Sequence, residues 1–378
     1  MIRKLYLRKT GAVKKLLKDS LRTGIEFAAA KRKHYFDRFN KKTTKVKLVA
    51  IAKNEAAYLP EWIAHHLYFG FDHIEININR TSDNSLSILS KFSELSQVTI
   101  RDADAFFNSY KGNPQVGLYR EAIVKARKEG FSHICFLDID EFWVSKDLNS
   151  TIHDCLNSIS RCDVISFEWA NKYEPENHFG PAISQQVQVQ RRPQVKSIID
   201  TRSPYYRLNP HNIVNPFLDY RNASGETFKH INDAFSRAPD IELKQPVKPY
   251  FIIHRYYRSE VEYIATLGRG RPKFPDEGKV KIKGNRKGYS DEDDAITINF
   301  DADNFYKYQQ HMQNVLKELL EETEVRKAQN FVKETYEKVL IIVENSDKKD
   351  EALLTRSFKN IKDEKAVASL NKFQARHR

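Results

Sequence analysis

Three carboxylates close an apolar run. In His133-Ile134-Cys135-Phe136-Leu137-Asp138-Ile139-Asp140-Glu141-Phe142-Trp143 a strand-like stretch delivers Asp138, Asp140 and Glu141 to its carboxyl end. In open α/β sheets ligands bind beyond the carboxyl ends of the strands, and two aspartates one residue apart can clamp a hard divalent cation carried by a phosphorylated ligand. Two further strand-like runs end in polar groups. Val49-Ala50-Ile51-Ala52 leads to Lys53, Asn54 and Glu55, and a second run leads to Asn77, Asn79, Arg80, Thr81, Ser82 and Asp83. Such groups can read a base or a ribose. Asp83 or Ser82 can equally cap the following helix, and for Asp83 alone capping is the simpler role. Three such exits together point to one shared ligand crevice.

The elements that position these groups alternate. Strands are predicted at Val46 to Ala52, His73 to Ile78, Gln97 to Arg101 and His133 to Asp138. Helices are predicted between them, near Leu59 to Phe69, Asp83 to Phe92 and Gln115 to Lys128, the last with Leu118, Ala122, Ile123 and Ala126 on one face. This alternation implies an α/β fold, a parallel sheet covered by helices on both faces. Beyond Glu168 the chain turns irregular, with strand-like pieces at Gln186 to Gln190 and Tyr250 to Ile253, and this half reads as the substrate side. Gly268 to Ala295, poor in apolar residues, reads as a mobile loop or lid. From Asn304 to Glu344 the spacing of Met312, Leu316, Leu319 and Leu320 is helical, and a charged tail follows, helical or frayed.

The 378 residues, 40% of them hydrophobic, can bury one large core, or a core with a smaller appended unit. Cys135, Cys155 and Cys162 form no CxxC pair, so neither a disulfide framework nor a structural zinc is indicated, and a reducing cytoplasm fits. Residues 1–45 set Lys and Arg around Leu5, Leu7, Val13, Leu16, Leu17 and Leu21, which reads either as basic amphipathic helices at a membrane surface or as a solvated arm. Arg22 and Glu26 interrupt any run that could serve as a signal-peptide core or membrane span. A net charge of +13 implies an acidic neighbour: nucleic acid, anionic lipid or a phosphorylated substrate.

Several ordered segments resemble a known family. Ala52-Lys53-Asn54-Glu55-Ala56-Ala57-Tyr58-Leu59-Pro60-Glu61-Trp62-Ile63-Ala64-His65-His66, Gly70-Phe71-Asp72-His73-Ile74 and Asn79-Arg80-Thr81-Ser82-Asp83-Asn84-Ser85 resemble the start of family 2-like glycosyltransferases, in the branch related to glycosyltransferase family 92. Gly117-Leu118-Tyr119-Arg120-Glu121-Ala122-Ile123 and Phe136-Leu137-Asp138-Ile139-Asp140-Glu141-Phe142 fit that branch's helix and its DxD strand. Later come Val195-Lys196-Ser197-Ile198-Ile199 with His211, then His254-Arg255-Tyr256-Tyr257-Arg258-Ser259, Glu262-Tyr263 and Arg269-Gly270-Arg271, so that the resemblance spans roughly residues 46 to 271. Arg255 and Arg258 stand where the branch usually has tyrosine and lysine, and Thr266 where it has lysine. Phe179-Gly180-Pro181 departs from the small-residue stretch usual after that Phe-Gly.

The resemblance implies a GT-A fold over residues 46–270, with a nucleotide-sugar half (46–169) and an acceptor half (170–270); beyond it the residue pattern itself reads as a loop (271–300) and a helical region (301–378). It implies a nucleotide-diphosphate sugar donor, usually a uridine one, and a divalent cation, Mn²⁺ or Mg²⁺. Asp140 would hold the cation, with Asp138 toward ribose or metal. Lys53, Asn54, Glu55, Asn79, Asp83, Arg120 and Arg258 would then meet the donor. His254, at the end of an apolar run, is the expected further metal or phosphate contact, or a satisfied strand-end histidine; His211 and His230 are alternatives. Inverting transfer needs a carboxylate base. Glu168 is the first choice, with Asp219, Glu226 and Asp233 also open. The acceptor implied is a surface glycan or glycolipid such as lipopolysaccharide core or capsule, met at the inner membrane face.

Two other classes share part of this pattern. Haloacid-dehalogenase-like phosphatases also place Asp-x-Asp after a buried strand, but their strand comes first in the core, whereas three βα units precede this one. A nucleic-acid-binding protein would interleave aromatics with a basic run such as Lys279 to Lys287, where Tyr289 is the only one nearby. Nucleic acid is therefore not expected as a partner. A catalytically dead scaffold is disfavoured by the intact carboxylates.

Overall fold

The computed structural model describes residues 44–173, 177–269, 282–284, 286–289 and 294–378. The basic arm, apart from Thr44 and Lys45, and most of the expected lid lie outside these residues. The chain runs β1 (Val46–Ala52), α1 (Leu59–Tyr68), β2 (His73–Ile78), α2 (Ser85–Phe92), β3 (Val98–Asp102), α3 (Asp104–Ser109), α4 (Pro114–Lys128), β4 (His133–Phe136) and β5 (Glu141–Ser145). It continues α5 (Ile152–Ser158), β6 (Val164–Lys172), β7 (Gln186–Asp200), β8 (Arg207–Leu208), β9 (Ile213–Val214), β10 (Tyr220–Asn222), α6 (Asp240–Leu243), β11 (Tyr250–His254) and α7 (Glu260–Gly268). Last come β12 (Ile296–Asn299), α8 (Ala302–Leu319), α9 (Glu322–Glu344), α10 (Glu351–Ser357) and α11 (Glu364–His377).

One large sheet has the order β3-β2-β1-β4-β7-β6-β11-β5, with β10 beside β6 and β12 beside β7. The first four strands are parallel, and β7 pairs antiparallel with both β4 and β6. The alternation of side chains along each strand supplies two apolar faces. In β1, Leu48, Ala50 and Ala52 enter the core beneath α1 and α2, while Val49 and Ile51 enter the one beneath α4. This is the α/β class expected, with the first four strands and three of their helices where the periodicity puts them.

Two strands differ from expectation. β7 runs on to Asp200 through Pro193, which sits where the ladder with β6 shifts register between Glu168 and Trp169, a place where a missing N–H costs no pairing. β5 forms after the acidic turn and pairs antiparallel with β11, so the second half of the sheet is mixed. The tail is helical: α9 packs on α7 and α11 packs on α9, while α8 lies on α1. Among the described residues no helix is long and apolar enough to cross a membrane.

Candidate active site

The carboxyl ends of β1, β2, β4 and β11 meet at one edge of the sheet. The acidic turn between β4 and β5 is built by its neighbours. The Trp62 indole N–H, from α1, donates to the carbonyls of both Asp138 and Glu141, at 3.0 and 2.9 Å, and the Asp138 N–H donates to Glu141 Oε2 at 2.8 Å. Arg255 N–H, just past β11, donates to the Asp140 carbonyl at 2.7 Å. The turn is therefore held by α1 on one side and by β11 on the other.

Each carboxylate has a different partner. Glu141 is fully buried and lies 2.9 Å from Lys196 Nζ, itself buried on β7. Lys196 also reaches Asp138 at 3.2 Å, whose side chain is 42% exposed and so faces the crevice. Burial works against the Lys196 charge, but Asp138 and Glu141 outweigh it and push its pKa up. Asp140 meets His254 Nε2 at 3.6 Å. Burial works against the Asp140 charge, yet His254, then Arg258 and Arg286, outweigh it and hold the carboxyl well below its ordinary range. His254 is fixed by Asn171 through Nδ1 at 3.2 Å and packs on Trp169, with ring centroids 4.3 Å apart.

Arginines gather behind this pair. Arg258 lies over the Tyr58 ring at 3.5 Å and 3.5 Å from Glu55, which also contacts Arg269. Its φ of 56° is left-handed, a conformation that costs a non-glycine residue and persists only where the surroundings hold it, here through the Tyr289 hydroxyl donating to its carbonyl at 2.5 Å. Arg286 covers Tyr256 at 3.9 Å and donates to its carbonyl. Burial, then the charges of Arg269 and Arg286, hold the Lys283 ammonium well below its ordinary value, while Asp140 and Asp138 act the other way. Arg258 Nε, Asn79 Nδ2 and Trp169 Nε1 are buried without a partner among the described residues, which is common where a ligand or water completes a polar site.

The β1 and β2 exits bind chiefly each other. Asn54, at φ 53°, donates through its N–H to Thr81 Oγ1 at 2.8 Å and accepts from the Ser82 N–H at 2.7 Å. Asp83 accepts from the Ala56 N–H at 2.9 Å with one oxygen and from the Ser85 N–H at 3.0 Å with the other. Lys53 is buried next to them, and Asn79 is fully buried. Arg120 stands exposed on α4, within electrostatic reach of Tyr205. Glu168 is buried on β6, bonded at 2.6 Å to Arg191 and at 3.4 Å to the Lys248 N–H. Its chain neighbour Trp169 is the residue that meets His254, and the ladder with β7 shifts register between the two.

Of the residues around the pair, Lys196, Trp169, Lys283 and Arg286 were not among those singled out for the site. For Lys196 the signal was present, a lone lysine inside the apolar run Val195 to Ile199. By donor type the carboxylate suits Mn²⁺ or Mg²⁺, and the imidazole suits a transition-metal ion, so the pair fits Mn²⁺ better than Mg²⁺. Among the described residues no group of three or more His, Cys, Asp or Glu is arranged to hold a metal. A cation on Asp140 and His254 would thus take its other ligands from phosphate oxygens and water, as small hard cations accept.

Residues 48–216 match the family described as Glycosyltransferase family 92. No curated protein matches the chain. Among solved structures, the chain is similar to "Crystal structure of S. aureus TarS 1-349" at 11% identity, with a TM-score of 0.26, over 88% of this chain and 89% of that one. The same S. aureus fragment in complex with UDP gives 12% identity, a TM-score of 0.26 and the same coverage.

Proposed function

We propose that this chain, a glycosyltransferase with a family 92 match over residues 48–216, moves a sugar from a uridine-diphosphate sugar to a hydroxyl of a surface glycan, with inversion. The observation that carries the reading is the Asp140–His254 pair, set at the carboxyl ends of β4 and β11 with Arg258 and Arg286 as neighbouring charges. Asp140 and His254 would hold a divalent cation, with Asp138 beside it toward ribose or metal. Bound there, the cation would neutralise the leaving diphosphate as a Lewis acid. Arg258 and Arg286 add positive charge that does not depend on a metal, and the β1 and β2 exits face the nucleoside. Residues 46–169 form the donor half and 170–270 the acceptor half. The glycan is met at the inner membrane face, through the basic residues 1–45.

Thermal melting with UDP, GDP and CDP and their common sugar conjugates, each with and without Mn²⁺, tests this. A ligand that binds the native state raises the melting temperature. A manganese-dependent rise with the uridine compounds, absent in Asp140→Ala of unchanged fold, is expected. No shift with any nucleotide, or an undiminished shift and normal turnover in Asp140→Ala, would overturn the reading.

A further inference from the structure

We propose that His211 is the general base of the transfer, its Nε2 taking the proton of the attacking hydroxyl. The assignment rests on the glycosyltransferase reading above and adds a residue to it. His211 sits in the turn between β8 and β9, and that turn is locked. Asn209 Oδ1 accepts from the N–H groups of His211 and Asn212 at 2.8 and 2.9 Å, and the Asn209 and Asn212 side chains donate to the carbonyls of Ala234 and Phe235, both at 2.9 Å. A side chain on such a turn is presented with little freedom to move.

The tautomer follows from one bond. His211 Nδ1 lies 3.0 Å from the Val195 carbonyl, which can only accept, so Nδ1 carries the proton and Nε2 the lone pair. Nε2 makes no hydrogen bond among the described residues, and the ring is only partly buried. The ring packs on Trp169 at 5.3 Å, and Trp169 also packs on His254 at 4.3 Å, so one indole links the lone pair to the Asp140–His254 pair. Val195 is chain neighbour to Lys196, which holds Asp138.

The carboxylates that could compete are engaged. Glu168 is bonded to Arg191 at 2.6 Å, Asp219 to Arg221 at 2.8 Å, Glu226 to Asn222 at 3.1 Å and Asp233 to Arg207 at 3.2 Å. The groups that act on His211 are Lys196 on β7, Asp138 after β4 and His254 on β11. Burial, then Lys196, bring its pKa down to about 4, against the Val195 bond and Asp138, so the imidazole is neutral near pH 7 with the basicity of a carboxylate.

In the step, the acceptor O–H bond breaks toward Nε2 as the oxygen forms its bond to the sugar's anomeric carbon. The bond from that carbon to the diphosphate oxygen breaks, and its electron pair leaves with the nucleoside diphosphate. The proton remains on His211 as imidazolium until solvent removes it. The test measures UDP release from UDP-glucose, UDP-galactose and UDP-N-acetylglucosamine with Mn²⁺, with water and simple alkyl glycosides as acceptors, in wild type, His211→Gln and His211→Ala. Both variants should keep the melting shift with UDP and Mn²⁺ and the KM for donor, while kcat falls by about 10²-fold or more. Added imidazole should restore part of the His211→Ala turnover. Wild-type kcat in His211→Gln, whose amide can hydrogen-bond but not take the proton, overturns the assignment; so does loss of the UDP shift, which would make His211 a donor-site group. If wild type itself shows no nucleotide shift, the donor reading fails as well, which separates the two failures.

Discussion

The β1 and β2 exits and the β4 and β11 exits share one edge of the sheet but are built on opposite terms. At the first, Asn54, Thr81, Ser82 and Asp83 answer one another, neutral group to neutral group and a carboxylate to backbone N–H groups. At the second, Lys196 lies 2.9 Å from Glu141 and 3.2 Å from Asp138, His254 lies 3.6 Å from Asp140, and Glu141 Oε1 has no partner among the described residues. A polar loop that satisfies itself fixes a shape. A cluster of charges brought together under burial spends stability to keep groups ready for a charged ligand. Sequence proximity to a strand end therefore does not by itself separate a scaffold residue from one that meets the ligand.

Removing the cation of the charged exit should have the largest effect. Lys196→Met takes the ammonium from Asp138 and from the buried Glu141, whose pKa burial pushes well above the ordinary carboxylate range with Lys196 opposing it; breaking such a buried pair typically costs about 3–5 kcal/mol. Urea unfolding should show this loss, and Lys196→Met/Glu141→Gln should recover part of it because no ionisable carboxyl is then buried without its partner. Equal stability of wild type and Lys196→Met would mean that the second exit is no more costly than the first, and the contrast would fail.

Titration sharpens the contrast on the scaffold side. His65 and His66, on the helix that follows the β1 exit, are fully buried. Burial lowers His65 to about 3, partly opposed by its bond to the Trp143 carbonyl, and holds His66 well below its ordinary value with the His65 charge adding to it. Both fold as neutral rings, so the unfolded chain binds more protons below its own histidine pKa. Stability is fully present above about pH 6.5 and is lost as pH falls from there toward 3, by up to about 1.4 kcal/mol per pH unit for each ring. Unfolding free energies between pH 7.5 and 5 should fall accordingly, and His65→Gln, able to keep bonds to Tyr308 and Trp143, should flatten the slope by about one proton. An unchanged slope would show that His65 does not fold as a neutral ring.

What the sequence disclosed follows the same divide. The first four strands were legible because an alternation such as Leu48, Ala50, Ala52 against Val49, Ile51 is local and each helix follows within a few residues. β5 was hidden because Asp138 and Asp140 precede it and Glu141 opens it, and most of β7 because Arg191, Arg192 and Pro193 interrupt its pattern. The Asp138 and Asp140 positions at a strand exit were readable from the run itself. Of their partners, His254 was named from the family resemblance and its place at the end of an apolar run, whereas Lys196 was not; both arrive from strands far along the chain, and only the sheet order puts them there. For Glu168 the strand was readable but its partners Arg191 and Lys248 were not, since both come from further along the chain.

Asp83 gives the smallest effect and the sharpest division between the two roles open to it. One of its oxygens receives the Ala56 N–H and the other receives the Ser85 N–H, the Ser85 hydroxyl at 2.5 Å and the Thr81 hydroxyl at 3.1 Å, so it ties the β1 exit to the start of α2. Asp83→Ala should cost about 1–2 kcal/mol, the worth of a lost helix-start acceptor with its neighbouring bond. The melting shift with UDP and Mn²⁺ should survive, because a residue whose oxygens are both spent on the backbone shapes the crevice without meeting the ligand. Full stability with the nucleotide shift abolished would assign Asp83 to the donor and dissolve the distinction between the two exits.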